Sequence, residues 1–150
     1  MAKHQQTPRR LAVLFDAENI SYTLTRPILQ RAANYGELSV KRAYGDWSQP
    51  RLGRMRTVML NNAIEPVQLF PYARGKNAAD IMLTVEAMAL LNTGQFDGIC
   101  IASSDSDLTP LVYCIRREGL RVIGFGGRHT PMPFVKACDN FIYTESIVAA

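Results

Sequence analysis

The chain has 150 residues, of which 47% are apolar and 20% are charged, and it carries a net charge of +4. This length suits one domain with a single sizeable core. The composition excludes a disordered protein, and no apolar run approaches the roughly 20 residues that span a bilayer. The three cysteines are odd in number and lack metal-site spacing, which favours a reducing, cytoplasmic setting. Residues 1–10 are polar and basic and are predicted to form a disordered tail before a single domain over residues 11–150.

Short apolar runs and helical segments alternate along this domain. The predicted strands are residues 11–15, 39–44, 67–70, 99–102, 120–125 and 141–143. The predicted helices between them are residues 27–35, 51–62, 78–91, 109–119 and 133–137. Regular alternation of this kind predicts an α/β fold, a three-layer α/β/α sandwich whose central sheet has five to six mainly parallel strands.

Four aspartates fall where the predicted strands end. Asp16 follows the first strand, and Asp105 and Asp107 follow the fourth. Asp80 lies in the first turn of the helix that crosses from the third strand to the fourth. Ligands collect at the carboxyl edge of such a sheet, near the point where the strand order reverses. Taken singly, Asp107 is typical of a turn before a helix and Asp80 of a first-turn charge, but a 3-2-1-4-5 strand order would bring all four carboxylates together.

Four neighbouring carboxylates repel one another, so they require either raised pKa values or a hard cation. Their ligand atoms are all oxygens, and this favours Mg²⁺ or Mn²⁺ over zinc. Such ions polarise phosphate oxygens and support attack by water. Asn19, three residues after Asp16, is placed to orient a water or the scissile phosphate without adding charge.

Basic and aromatic side chains suit a polyanionic substrate. Arg74 and Lys76 come directly before the helix of Asp80 and, with Ser104, are predicted to contact the substrate. Trp47 is predicted either to stack on a base or to anchor the core, and the latter use is as common. His129 is interpreted as a surface-loop residue. An acidic pocket rimmed by basic residues indicates a metal-dependent nuclease.

Four segments together resemble a known family. They are LFDAEN (14–19), YGDW (44–47), GKNAAD (75–80) and SSDSDLTPL (103–111). Together they resemble the NYN domain family of the limkain-like type, within the PIN-like nuclease superfamily, over residues 11–145. The chain departs from the family pattern at Leu108, where an aromatic residue often follows the second acid of the motif.

The resemblance implies a Rossmann-like, PIN-like domain that binds Mg²⁺ or Mn²⁺ and acts as a ribonuclease, with RNA as its partner. By motif, the catalytic and metal-binding residues are Asp16, Asp80, Asp105 and Asp107, with Asn19 beside them. Relatives often carry a winged-helix-like RNA-binding module after this domain. Whether such a module lies on a separate chain segment, and whether the protein forms a homodimer, are left open. The alternative function is a module of the same fold that binds RNA or a protein without cutting.

Overall fold

The computed structural model describes residues 9–70 and 78–148. The predicted tail therefore lies outside the described residues up to position 8, and Arg10 is the first residue of a strand. The strands are β1 (Arg10–Asp16), β2 (Glu37–Gly45), β3 (Glu65–Gln68), β4 (Gly98–Ala102), β5 (Arg121–Gly126) and β6 (Asn140–Tyr143). The helices are α1 (Thr25–Ala32), α2 (Gly53–Asn61), α3 (Ala79–Asn92), α4 (Thr109–Arg117), α5 (Met132–Ala137) and α6 (Thr144–Val148).

The six strands form one sheet in the order β3-β2-β1-β4-β5-β6, and every neighbouring pair is parallel. The predicted α/β sandwich and the 3-2-1-4-5 order are thus confirmed, with β6 as an additional edge strand. The chain winds outward from β1 to β3 and then returns to place β4 on the other side of β1. The strand order therefore reverses between β1 and β4, which is where open α/β sheets bind their ligands.

The two faces of the sheet carry separate apolar cores. Along β1, Ala12 and Leu14 pack on the side of α3 and α4, whereas Val13 and Phe15 pack on the side of α1 and α2. This alternation follows from the two-residue period of a strand, and all of these side chains are buried because both faces are covered by helices. Asp16 continues the Ala12–Leu14 series, so the pleat directs it toward α3 and α4.

The third strand was predicted two residues too late, at residues 67–70 rather than Glu65–Gln68. The apolar run that indicated a strand continues past it, whereas the strand itself begins with exposed residues. Pro66 lies inside it, and an edge strand tolerates a proline because one side of its backbone needs no partner. The last helix, α6, was not predicted. Within the described part of the chain, no helix combines the length and apolar character of a membrane span.

Candidate metal centre

The four predicted aspartates lie at the carboxyl edge, between β1 and β4, but only three of them group together as predicted, and Asp16 is not in that group. Asp16 is the last residue of β1, and β4 lies directly beside it, with Phe15 opposite Ala102. A 3-10 turn over Ser106–Leu108 follows β4; it contains Asp107, and Asp105 is the residue that caps it. Asp80 is the second residue of α3, whose first turn opens over the same edge. Sheet topology therefore gathers residues that are far apart in the sequence.

Three carboxylates form a compact group, which we call the acidic cluster: Asp80, Asp105 and Asp107. One oxygen from each lies within 4.8 Å of the corresponding oxygens of the other two. Asp80 and Asp105 are half-buried and Asp107 is exposed. Like charges at this spacing repel one another unless a cation lies between them, and carboxylate oxygens are the ligands that Mg²⁺ and Mn²⁺ prefer. The cluster therefore has the spacing and donor chemistry of a divalent-metal site.

Local hydrogen bonds fix the orientation of two cluster members. Asp105 caps the 3-10 turn, because its Oδ1 accepts a hydrogen bond from the backbone N–H of Asp107 at 2.9 Å. The Oδ1 of Asp80 accepts the backbone N–H of Ile81 at 2.9 Å in the first turn of α3. The bland local roles are thus both present: turn capping before α4 and a charge in the first turn of α3. These hydrogen bonds orient the carboxylates, but they do not explain why three carboxylates lie so close together.

Asp16 stands outside the acidic cluster and is 1% exposed. Its Oδ2 accepts hydrogen bonds from Asn19 Nδ2 at 2.9 Å and from Ser103 Oγ at 3.0 Å. Its Oδ1 is buried and accepts no hydrogen bond from the described residues. The pKa of Asp16 is raised, mainly by burial and further by the charge of Asp105, while the Asn19 and Ser103 hydrogen bonds act to lower it. A buried carboxylate oxygen without a partner among the described residues is chemically suited to contact a cation.

Ser103 is a positioning residue that the sequence interpretation missed. It is fully buried, and its Oγ donates to Asp16 while accepting the backbone N–H of Asp105 at 3.1 Å. One hydroxyl thus joins the end of β1 to the loop after β4. The available signal was a serine directly after a buried strand, where a buried hydroxyl needs hydrogen-bond partners.

Of the three predicted substrate contacts considered first, only Ser104 lies among the described residues. Arg74 and Lys76 lie outside the described residues. Ser104 Oγ accepts the backbone N–H of Gly127 at 3.1 Å and the Thr130 hydroxyl at 3.0 Å, so it ties the loop after β4 to the loop after β5. Ser104 also lines a cavity of about 340 Å³ together with Asn19, Asp105 and His129. This cavity places Ser104 beside the acidic cluster.

Trp47 has a structural role at the edge of the sheet. Its indole Nε1 donates to the backbone carbonyl of Val67 at 3.0 Å, and its ring packs against the core on the α1 and α2 side. Stacking of Trp47 on a base stays a prediction. The arginines of α2 and the turn before it also have protein partners: Arg51 pairs with Glu18, and Arg54 donates to the Tyr22 hydroxyl.

Comparisons with known proteins agree with this architecture. The NYN domain family model matches residues 10–145. A protein of unknown function from Vibrio parahaemolyticus has a similar structure, with a TM-score of 0.76 and 22% identity, and the match covers 94% of this chain and 96% of that one. Acinetobacter baumannii MurG matches with a TM-score of 0.52 and 12% identity over 89% of this chain and 40% of its own. At such identities these two likenesses establish the fold alone. No curated protein matches the chain by sequence.

Proposed function

Because the chain belongs to the NYN domain family, whose fold is nuclease-like, we propose that it is a metal-dependent ribonuclease. The proposed reaction is endonucleolytic hydrolysis of RNA phosphodiester bonds at the acidic cluster. The observation that carries the proposal is the approach of three carboxylates to within 4.8 Å of one another at the reversal of strand order. The net charge of +4 is compatible with a polyanionic partner.

The residues at this edge fit Mg²⁺ or Mn²⁺. The acidic cluster presents carboxylate oxygens from three side chains, and Asp16 adds an unpartnered Oδ1 at the end of the neighbouring strand β1. When bound there, a divalent cation supplies positive charge that polarises phosphate oxygens and favours attack by water. The all-oxygen donor set matches hard cations better than zinc.

We assign distinct roles to the side chains around the cation. Asp16 and Asp105 hold it, and the Ser103 hydroxyl links the carboxylate of Asp16 to the backbone N–H of Asp105. Asp80 completes the ligand set, and the exposed Asp107 orients the attacking water. Asn19 is exposed and already directs its amide N–H at Asp16, so its position suits contact with a substrate phosphate. The proposed substrate contacts are Arg74, Lys76 and Ser104. The positive charges of Arg74 and Lys76 would attract the phosphates of the RNA.

The test is cleavage of end-labelled RNA by the purified full chain. Single-stranded and structured RNA, and DNA of the same sequence, are incubated with Mg²⁺, with Mn²⁺ or with a chelator. We expect internal cuts in RNA with either metal and none with the chelator. The Asp105→Asn variant, purified identically, controls for contaminating nucleases. If wild-type and Asp105→Asn protein cut at equal rates, the assignment of the site is wrong.

The alternative, an RNA-binding or protein-interaction module that does not cut, predicts a different result. It predicts unchanged RNA under every metal condition, even at protein concentrations that shift the RNA in a gel. That outcome would refute the ribonuclease proposal while leaving the fold assignment intact.

A further inference from the structure

A cavity of about 500 Å³ lies next to the acidic cluster, between the loop after β1 and the start of α6. We call it the side pocket, and its lining includes Asn19, Ile20, Leu24, Ser104, His129 and Val148. Its volume falls within the range of about 300–1,000 Å³ that small-molecule sites occupy. None of the roles assigned above uses its apolar part.

The side pocket continues into the metal centre. Asn19, Ser104 and His129 line both the side pocket and the smaller cavity of about 340 Å³ that reaches Asp105. A group bound in the side pocket is therefore adjacent to whatever the acidic cluster holds. For a nucleic acid whose phosphate lies at the cluster, the adjacent group is the nucleoside attached to that phosphate.

The imidazole of His129 lies at the junction of the two cavities, in space that a side chain at Gly127 would occupy. A Cβ at Gly127 would lie 2.5 Å from Cε1 and 2.6 Å from Nδ1 of His129, which is closer than atoms can approach. The ring thus lies directly over the Gly127 backbone. It is exposed, and it is the one aromatic ring among the described residues that line the side pocket. Imidazole rings are among the surfaces on which proteins stack unpaired bases.

The lining chemistry favours a neutral, flat group over a phosphate. Ile20, Leu24 and Val148 provide apolar surface, and the polar groups are amide, hydroxyl and imidazole. Among the described residues of the lining there is no lysine or arginine, and Glu145 contributes a carboxylate. Both oxygens of Glu145 accept the backbone N–H of Arg128, at 3.1 and 3.0 Å, and this bonding lowers the pKa of Glu145, so it stays anionic. An anionic ligand would be repelled, whereas a base has apolar faces and a hydrogen-bonding edge.

We propose that the side pocket binds the base of the nucleotide next to the phosphate that is cut, with this base stacked on His129. This inference rests on the proposed ribonuclease function and assigns base recognition to that site. Sequence preference in cleavage then comes from the side pocket, while the acidic cluster acts on the backbone, which is common to all sequences.

The experiment compares two small probes that differ only in the base. Adenosine 5′-monophosphate and ribose 5-phosphate are titrated in Mg²⁺ into the ¹⁵N-labelled full chain, and affinities are taken from amide shift changes. We expect the nucleotide to bind about tenfold more tightly, the gain typical of one stacked base. The shifts should include the amides of Ile20 and His129. Repeating the titration with the other three nucleoside monophosphates measures base preference.

Two variants locate the effect. His129→Ala removes the stacking surface and should abolish the difference between the two probes. Gly127→Ala keeps the imidazole but pushes it from its place, because the ring can move more easily than the backbone, and it should reduce the difference. Met132→Ala changes an exposed side chain outside the side pocket and serves as the matched control, with the difference retained.

Equal affinities for the two probes, or a difference that His129→Ala leaves intact, would overturn the inference. Neither titration involves cleavage, so the two proposals fail separately. Active protein with equal probe affinities refutes the side pocket alone. Inactive protein with the expected probe difference refutes the ribonuclease function alone.

Discussion

Asp16→Asn should stabilise the metal-free protein even though it abolishes cleavage. Asp16 is buried, and its Oδ1 has no hydrogen-bond partner among the described residues. In the variant, the amide oxygen can take the place of Oδ2 and keep the hydrogen bonds from Asn19 and Ser103, while the NH₂ replaces the unpartnered oxygen. The hydrogen bonds from Asn19 and Ser103 are kept and a buried charge is removed, while the new NH₂ group takes the place of an oxygen that has no partner among the described residues.

The size of the effect is the amount by which an unsatisfied buried carboxylate costs more than an unsatisfied buried amide, and we take it as about 1–3 kcal/mol. For a domain of this length, 1 kcal/mol changes Tm by about 2–4 °C, so the variant should melt roughly 2–12 °C higher in the presence of a chelator at pH 7. The assay is thermal unfolding followed by circular dichroism. Glu37→Gln, a charge-removing change at an exposed position on the opposite edge of the sheet, is the matched control and should shift Tm little.

The stabilisation should depend on pH with a definite sign. The folded-state pKa of Asp16 is raised above its ordinary value of 3.8. The folded wild type therefore takes up a proton before the unfolded chain does, and it gains stability relative to Asp16→Asn as the pH falls through the folded pKa. The difference in stability between Asp16→Asn and wild type has its full size above that pKa and disappears below pH 3.8. A variant that melts lower than wild type at pH 7, or a gap that does not narrow in acid, would refute the account of a destabilised buried carboxylate.

Three further predictions concern the same edge of the sheet. Asp105→Asn should reduce cleavage to the background rate while Tm stays equal to or above that of wild type, as measured by RNA product formation and by melting; loss of folded protein would contradict it. Mg²⁺ at about one hundred times its Kd should raise the free energy of unfolding of wild type by about 2.7 kcal/mol, and that of Asp16→Asn and Asp105→Asn by much less. Equal increases in all three proteins would mean that the ion binds elsewhere. Ser103→Ala should lower the free energy of unfolding by about 1–3 kcal/mol in urea titrations, because Asp16 loses a donor and the Asp105 N–H loses its acceptor, whereas Ser106→Ala, at an exposed position, should have little effect.

Within β1, the residues that stabilise the fold are separate from the residue proposed to act in the site. Residues 11–15 are buried on both faces and pack against helices on each side of the sheet. Asp16 follows immediately and is the one residue of the strand whose burial opposes folding. A rigid apolar strand thus holds a carboxylate in a place that it would not take by itself, and the proposed role of Asp16 as a metal ligand requires such a fixed position.

Local pattern was sufficient for the elements with strong signals. The buried strands β1 and β4 are continuous apolar runs, and α3 is a long segment without glycine or proline. Alternation of such elements leads to a parallel sheet, because parallel neighbours need a crossover between them. The position of β3 was missed, since an edge strand is only half covered and has no need of an apolar run.

The acidic residues could also be selected from the sequence, because a carboxylate at the end of a buried strand is unusual. The distances between them could not be predicted from the sequence. Asp80, Asp105 and Asp107 share a site through the packing of α3 against the turn after β4, whereas Asp16 lies outside that group and accepts hydrogen bonds from Ser103 and Asn19. His129 looked like an ordinary loop residue until the loop after β5 was seen beside the loop after β1. Hydrophobic periodicity is a property of neighbours along the chain, but a site is made by residues whose proximity exists only after the sheet has formed.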